Sequence, residues 1–319
     1  LKYREIQSGE KRRNFYASVF GEHAVGAVHF LYCGVCVPDL LPFWLACGGK
    51  QRGGVENAEL HRYAAIISAR NESAVIGRLI RTLKEQDYPS ELLDVIVVAD
   101  NCTDNTAEVA RSAGAIVYER FNKVQVGKGY ALDYLFKHIF EEQGEDAYDA
   151  FFVFDADNIV DPQFVREMNK MYDTGEYSAL TSYRNSQNFC ANWISAGYAL
   201  WFLRESRFLN RPRTRLGVNC AVSGTGFLIS AGCAPRGRRM ELSSADRRIY
   251  EFSIASAVRG RKIGYCGNAI IYDEQPEHFR QSWGSASALE QGLLSGGRKV
   301  YRRTAARLYA RRQGWHVLL

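Results

Sequence analysis

Two aspartates near the middle of the chain have the residue type and spacing of a metal site. Asp155 and Asp157 lie two residues apart, directly after the apolar run at residues 150–154. Carboxylate oxygens suit Mg²⁺ or Mn²⁺, and a cation held in this way commonly binds a diphosphate. The pair therefore predicts a metal–diphosphate site. The alternative is a turn in which both aspartates cap the helix expected at Pro162.

Two other apolar runs also end in polar clusters. Glu72 closely follows one such run, and Asp100 follows another. The carboxylate of Asp100 can accept hydrogen bonds from a nucleobase. Alternatively, it belongs to a local turn in which Asn101 and Asp104 cap the next helix.

The sequence lacks the glycine-rich phosphate loops of common nucleotide-binding folds. No G-x-x-x-x-G-K-[ST] motif occurs, and no G-x-G-x-x-G follows the first apolar run. Residues 126–129 (V-G-K-G) keep a fragment of such a loop, in which Lys128 can neutralise a phosphate as a point charge. The alternative is a solvated lysine between two glycines at the start of a helix.

Alternating apolar and amphipathic segments predict the elements that position these residues. Strands are expected at residues 63–68, 93–98, 115–118 and 150–154, and helices at residues 72–86, 103–113 and 128–140. Strands that alternate with helices form a mostly parallel sheet that is covered on both faces. Ligands of such sheets bind beyond the carboxyl ends of the strands, so the three polar clusters should converge on one rim.

Six segments, in order, resemble the motifs of family 2 glycosyltransferases with a GT-A fold. They are residues 67–72 (I-S-A-R-N-E), 97–106 (V-V-A-D-N-C-T-D-N-T), 127–132 (G-K-G-Y-A-L), 154–158 (F-D-A-D-N), 223–227 (S-G-T-G-F) and 272–276 (Y-D-E-Q-P). The resemblance covers residues 61–283. It implies a Rossmann-like α/β sheet and transfer of a sugar from a nucleotide-diphosphate sugar. Similar enzymes are membrane-associated and take part in polysaccharide synthesis.

The resemblance also implies roles for individual residues. The donor, expected to be a UDP-sugar, would be bound by Ala69, Arg70, Glu72, Asp100, Asn101, Lys128, Asp155 and Asp157. The D-x-D pair, Asp155 and Asp157, would hold Mg²⁺ or Mn²⁺. The acceptor, a glycan or a lipid-linked molecule, would be lined by Gly224, Thr225 and Gly226. Most such enzymes invert the anomeric centre, and a carboxylate takes the proton of the acceptor hydroxyl.

Two motifs of the family are missing from the sequence. The T-E-D that carries the catalytic base is replaced by Arg247, Arg248 and Ile249, and the nearest candidate base is Asp246. The expected Q-x-x-R-W is replaced by G-S-A-S-A-L at residues 284–289. If the chain is made as written, we expect it to bind nucleotide without substantial transferase activity.

Both departures are explained if two segments are read out of frame. With permitted codons, a one-base shift of residues 233–247 can read A-P-R-G-D-G-G-W-N-F-R-L-L-T-E, which includes the start of the missing T-E-D. We hypothesise a frameshift or a gene-sequence error over residues 233–249 and 284–319. Resequencing tests this, and an error-free gene without a shifted T-E-D would reject it. The alternative is a diverged homologue with another base.

The distribution of charge agrees with the frameshift hypothesis. The chain carries 41 Lys and Arg against 35 Asp and Glu, a net charge of +6. Residues 233–248 hold five Arg against Glu241 and Asp246, and residues 291–319 hold six Arg and Lys299 without an acid. The basic excess therefore lies in the suspect segments. We expect no nucleic-acid partner, since no module with aromatic stacking positions is recognisable.

An apolar stretch precedes the expected catalytic domain. Residues 24–48 are long enough to cross a bilayer, which needs about 20 residues. The stretch is interrupted by His29, Pro38, Asp39 and Pro42. We expect either a membrane helix, with the catalytic domain on the cytoplasmic side of the cell membrane, or a poorly formed appendage. The predicted divisions are an appendage at 1–58, a GT-A domain at 59–283 and a basic tail, not native-like, at 284–319.

Two other functions are alternatives to glycosyl transfer. A sugar nucleotidyltransferase has a related sheet but needs a glycine-rich, basic loop where this chain has residues 68–72. A non-catalytic protein that binds nucleotide sugars is the other alternative. A further basic run is interpreted as a solvated helix end and loop, or as a surface for an anionic acceptor. It consists of Arg204, Arg207, Arg211, Arg213 and Arg215.

Overall fold

The computed structural model describes most of the expected catalytic domain. The described residues are 54–233, 252–253, 256–257, 259–278 and 281–282. All of them belong to the compact unit Gln51–Leu319. Several sequence predictions lie outside them: the possible membrane segment 24–48, the candidate base Asp246 and the tail 284–319. Within the described part of the chain, no helix is sufficiently long and apolar to span a bilayer.

Eight strands of the described residues form one sheet. They are β1 (Tyr63–Ala69), β2 (Leu93–Asp100), β3 (Ile116–Arg120), β4 (Ala150–Asp155), β5 (Ile159–Val160), β6 (Ala179–Ser186), β7 (Phe227–Ser230) and β8 (Ile263–Asp273). Their order across the sheet is β3-β2-β1-β4-β7-β6-β8-β5. The first four strands in this order are parallel. Strand β7 is antiparallel to both of its neighbours, so the sheet is mixed in its second half.

Helices cover both faces of the sheet. They are α1 (Ile76–Lys84), α2 (Thr106–Ser112), α3 (Lys128–Gln143), α4 (Phe164–Tyr172), α5 (Trp193–Arg204) and α6 (Arg211–Arg215), with a π-helical segment, Glu205–Asn210, between the last two. Alternate residues of each strand enter different cores. Ile67 belongs to the core that contains residues of α1 and α4, whereas Ile66 belongs to the core that contains residues of α3. This arrangement explains why the parallel strands are continuous apolar runs.

Two helices begin later than the sequence pattern predicts. Helix α1 starts at Ile76 rather than at residue 72, because Glu72 instead begins a turn and accepts the backbone N–H of Val75 at 3.1 Å. Helix α2 starts at Thr106 rather than at residue 103. The displaced residues make the connections that shape the rim of the sheet.

Candidate active site at the carboxyl ends of the strands

The predicted polar clusters meet on one rim, as expected. Parallel register places Ser68 of β1 beside Asp155 of β4, and Ala69 beside Ala99 of β2. The loops that leave β1 and β2 are then joined by hydrogen bonds. The backbone N–H of Glu72 donates to the Thr106 hydroxyl at 2.9 Å.

Two asparagines turn the chain sharply as it leaves the sheet. Asn71 has φ 57° and Asn101 has φ 53°, the left-handed region that asparagine tolerates better than most residues. The side chain of Asn71 accepts the backbone N–H of Thr103 at 2.8 Å, and Asn101 accepts that of Asn122 at 2.8 Å. Each asparagine therefore bends its own loop and ties it to a neighbouring one.

Asp100 is buried in an ion pair. Its Oδ1 atom accepts Arg120 Nη1 at 2.5 Å and Asn101 Nδ2 at 3.0 Å, and the residue is only 3% exposed. Arg120 also donates to the backbone carbonyl of Gln125 at 2.7 Å. Asp100 thus shapes the wall of the site, and its predicted contact with a nucleobase stays a prediction.

Arg120 is a site residue that the sequence reasoning missed. It ends β3 in direct register with Asp100 at the end of β2. Opposite charges at the ends of consecutive parallel strands were the available signal, but the pairing becomes visible only when the register is known.

Lys128 lies at the first position of α3 and points toward the D-x-D pair. Its ammonium group bonds to Asp155 Oδ1 and donates to the carbonyl of Gly224 at 3.0 Å. The lysine side chain is 17% exposed, so the alternative of a solvated lysine is wrong. Asp155 thus binds a positive charge, the Lys128 ammonium, in the structure itself. Its side chain is 39% exposed and therefore accessible to a ligand.

The turn that carries the two aspartates is held by hydrogen bonds to two residues, Asn158 within the turn and Thr225 in the loop before β7. The backbone N–H of Asp155 donates to Thr225 Oγ1 at 2.9 Å and to Asn158 Oδ1 at 3.2 Å. The Thr225 hydroxyl also donates to Asn158 Oδ1. The aspartates do not cap the following helix, since α4 begins after Gln163.

Several carboxylates of the rim repel one another. Burial, followed by the carboxylates of Asp273 and Asp155, raises the pKa of Asp157 to about 7. Burial and the carboxylates of Asp104 and Asp155 also raise the pKa of Glu72. Hydrogen bonds from Thr106 and Ser73 lower the pKa of Asp104 to about 2. A bound cation would relieve the repulsion that the first two groups experience.

The donor set fits a hard divalent cation that shares its coordination with a ligand. Among the described residues, no group of three or more His, Cys, Asp or Glu side chains could enclose a metal. Two carboxylates are nevertheless the protein ligation that Mg²⁺ often has, where phosphates and water complete the shell. Asp155 and Asp157 would hold such a cation.

The predicted acceptor residues border the same rim. Gly224 accepts the Lys128 ammonium through its carbonyl. Gly226 has φ 65°, and a Cβ atom there would lie 2.5 Å from Ile271 Cδ1. Its backbone N–H donates to the carbonyl of Val153 at 2.8 Å, which anchors the loop to β4. Only glycine satisfies these conditions without strain.

The remaining predicted donor residues occupy the end of β1. Ala69 is buried, and its carbonyl faces the thiol of Cys102 at 3.6 Å. Arg70 is exposed on the rim. The basic run that begins at Arg204 is helical throughout, since it spans the end of α5, the π-helical segment and α6. The predicted loop is therefore wrong, whereas a surface for an anionic acceptor stays a prediction.

The architecture and the rim together define a GT-A α/β protein. Residues 61–286 match the model of the family described as "Glycosyltransferase like family 2". The chain therefore belongs to this family, as the six sequence motifs predicted.

A solved structure supports the fold assignment. The structure of the mannosyltransferase PcManGT from Pyrobaculum calidifontis, in complex with GDP-Man and Mn²⁺, aligns with a TM-score of 0.63 and 16% identity. The alignment covers 85% of this chain and 81% of that chain. At this identity the likeness shows the shared fold and confirms the predicted GT-A architecture.

A curated relative matches only locally. The 4,4'-diaponeurosporenoate glycosyltransferase of Staphylococcus aureus is 50% identical over 54 residues. That match spans 17% of this chain and 14% of the relative.

Proposed function

We propose that this glycosyltransferase uses a UDP-sugar and Mg²⁺ or Mn²⁺, and transfers the sugar with inversion to a glycan or lipid-linked acceptor. The observation that supports this most is the half-exposed Asp155 carboxylate, which lies beside the ammonium of Lys128 and shares a turn with Asp157. Opposite charges at such a rim can bind a cation and a diphosphate together.

The described residues divide the work of donor binding. Asp155 and Asp157 would hold the cation, and Lys128 would exchange its carboxylate partner for a phosphate oxygen. The bound cation would neutralise negative charge on the leaving UDP. The loops after β1 and β2, which hydrogen bonds of Asn71 and Thr106 join, would receive the nucleoside.

The transfer step needs a base that removes the proton of the acceptor hydroxyl. The family carries this base in a T-E-D motif, and the corresponding positions here are Arg247, Arg248 and Ile249. Asp246 is the nearest acid in the sequence and lies outside the described residues. We therefore propose that the chain as written binds its donor well and turns it over slowly.

The proposal includes the subcellular location of the protein. The apolar residues 24–48 favour the cell membrane, with the catalytic domain facing the cytoplasm, where nucleotide sugars are made. Fractionation of cells that express the full chain tests this proposal. Recovery of the protein in the membrane fraction, released by detergent but not by high salt, is the expected result.

Calorimetric titration of the full chain with UDP, with and without Mn²⁺, tests the donor proposal. We expect Mn²⁺ to tighten UDP binding by at least tenfold, and GDP to bind more weakly than UDP. Absence of any metal-dependent binding of UDP would reject the proposal. Turnover of a UDP-sugar at the rate of active family members would reject slow catalysis, while leaving the donor assignment intact.

A further inference from the structure

Asp273 is a buried acid outside the D-x-D motif, and it gathers hydrogen bonds from distant parts of the chain. It ends β8 and is 3% exposed. Its Oδ2 atom accepts Arg184 Nε at 2.9 Å, Arg184 Nη2 and Gln275 Nε2 at 2.6 Å. Its Oδ1 atom accepts Asn158 Nδ2 at 2.8 Å.

The contact with Asn158 determines how that amide is oriented. A carboxylate oxygen accepts hydrogen bonds, so the NH₂ group of Asn158 faces Asp273. The carbonyl oxygen of Asn158 must then face the opposite side, where it accepts the Asp155 backbone N–H and the Thr225 hydroxyl. The same amide therefore joins the D-x-D turn to the loop on the acceptor side.

Arg184 holds the acid in place. It lies on β6 and pairs with Asp273 across the β6–β8 ladder, with its guanidinium 4.6 Å from the centre of the Phe202 ring. A buried ion pair is weak evidence for stability, because the desolvation of two charges offsets their attraction. The orientation that this pair imposes on the Asn158 amide is therefore better evidence of its role than its contribution to stability.

We propose that Asp273, held by Arg184, is a positioning residue that fixes the Asn158 amide and thereby the metal-binding arrangement of Asp155 and Asp157. This inference rests on the proposed use of a metal and UDP. It assigns to the end of β8 a role in donor binding, although Asp273 does not belong to the D-x-D motif itself.

The variant Asp273→Asn tests the proposal. An amide cannot accept from both Asn158 and the Arg184–Gln275 side, so one of these contacts is lost. In calorimetric titrations of the full chain, we expect the tightening of UDP binding by Mn²⁺ to fall by about tenfold, the loss typical of residues that orient metal ligands. Binding of UDP without metal should change by less than twofold, which a general loss of structure would not allow.

A reciprocal exchange provides the rescue. In Asn158→Asp/Asp273→Asn, the carboxylate at position 158 can accept from Asp155, Thr225 and the new amide, so these three contacts are restored, although the 3.4 Å donation from position 158 to Asp157 is lost. We expect this double variant to bind Mn²⁺–UDP more tightly than Asp273→Asn. The matched control is Asp94→Asn, because Asp94 also accepts from an arginine and a second donor, Arg62 and Tyr148, but at the amino end of β2.

Each outcome supports or rejects the positioning role. A metal effect in Asp273→Asn within twofold of that in the unaltered chain rejects it, as does an equal loss in Asp94→Asn or no rescue by the double variant. If Asp273→Asn does not fold, Arg184→Gln serves instead, with an expected threefold loss and the same criteria. Absence of metal-dependent UDP binding in the unaltered chain is a different result, which rejects the proposed function itself.

Discussion

Two acid–base pairs lie on the same rim and differ in their access to solvent. In the pair Asp100–Arg120, the side chains are 4% and 5% exposed. In the pair Asp155–Lys128, they are 39% and 17% exposed. Each pair consists of a carboxylate and a basic side chain. Only in the second pair can one member leave the other and contact a ligand without leaving a buried charge unpaired.

The difference in exposure indicates that one pair stabilises the fold and the other is available for binding. A buried pair depends on both members, because removal of one leaves an uncompensated charge in a poorly polarisable environment. A pair that is partly exposed loses less when it is broken, because water screens the charge that remains. The first pair would therefore build the wall of the proposed donor site, and the second is suited to meet the donor.

The strongest test of this division is the removal of the buried cation. We expect Arg120→Met to lower the free energy of unfolding by about 3–5 kcal/mol, because Asp100 is left unpaired. Urea denaturation of both proteins measures the change. The control is Lys128→Met, for which we expect a loss of less than about 1 kcal/mol. Equal losses in the two variants would contradict the division.

The second test concerns the open acids. We expect Asp155→Asn and Asp157→Asn to weaken Mn²⁺-dependent UDP binding by about 100-fold or more, since each removes one of only two protein carboxylates at the proposed metal. Calorimetric titration measures the loss. Asp161→Asn, which alters a nearby acid that accepts the Gln163 backbone N–H at 3.0 Å, serves as the control and should bind as the unaltered chain does. Unchanged binding in both D-x-D variants would refute the metal assignment.

The third test uses pH without metal. The pKa of Asp157 is raised to about 7 in the folded protein, whereas an unfolded aspartate titrates near its ordinary value of 3.8. The folded state thus binds the proton more tightly, so stability should fall as pH rises from about 4 to about 7 and stay low above that. Asp157→Asn should remove this slope and stabilise the metal-free protein at pH 8 by about 2 kcal/mol, after allowance for solvent screening.

Thermal and urea unfolding in the presence of a chelator, at several pH values, measure this effect. Glu72→Gln is the comparison, because the pKa of Glu72 is also raised and its removal should change the slope in the same direction by a smaller amount. A D157N protein that is less stable than the unaltered chain at pH 8 would show that the carboxylate is not strained.

The smallest effect is expected from the removal of the Lys128 ammonium group. We expect Lys128→Met to weaken UDP binding by about tenfold, roughly the value of one charge-assisted hydrogen bond, and to leave uridine binding unchanged. Titrations with UDP and with uridine measure the two affinities. An equal loss for both ligands would place Lys128 at the nucleoside rather than at the phosphates.

The first half of the fold was predictable because its signals are local. Strands β1, β2 and β4 are continuous apolar runs, and α3 begins at residue 128 as its pattern predicts. The D-x-D pair follows directly from the end of β4. In each case, the residues that decide the element are neighbours in the sequence.

The contacts that complete the site depend instead on distant pairing. Arg120 meets Asp100 only through the register of β2 and β3, and Asn158 meets Asp273 across 115 positions. The insertion of antiparallel β7 between β4 and β6 has no local signature either. Residue patterns report what each segment prefers, whereas these contacts follow from which segments become neighbours.

The glycine at position 226 also restricts which substitutions this protein can tolerate. Its left-handed backbone would strain the φ angle of a larger residue, and the space for a side chain is taken by Ile271 and the Ser182 hydroxyl. Even alanine would require the side chains of Ile271 and Ser182 to move. In a library of random missense changes, codon 226 should therefore tolerate few replacements, while codons of exposed residues away from the rim, such as that of Lys137, remain free to vary.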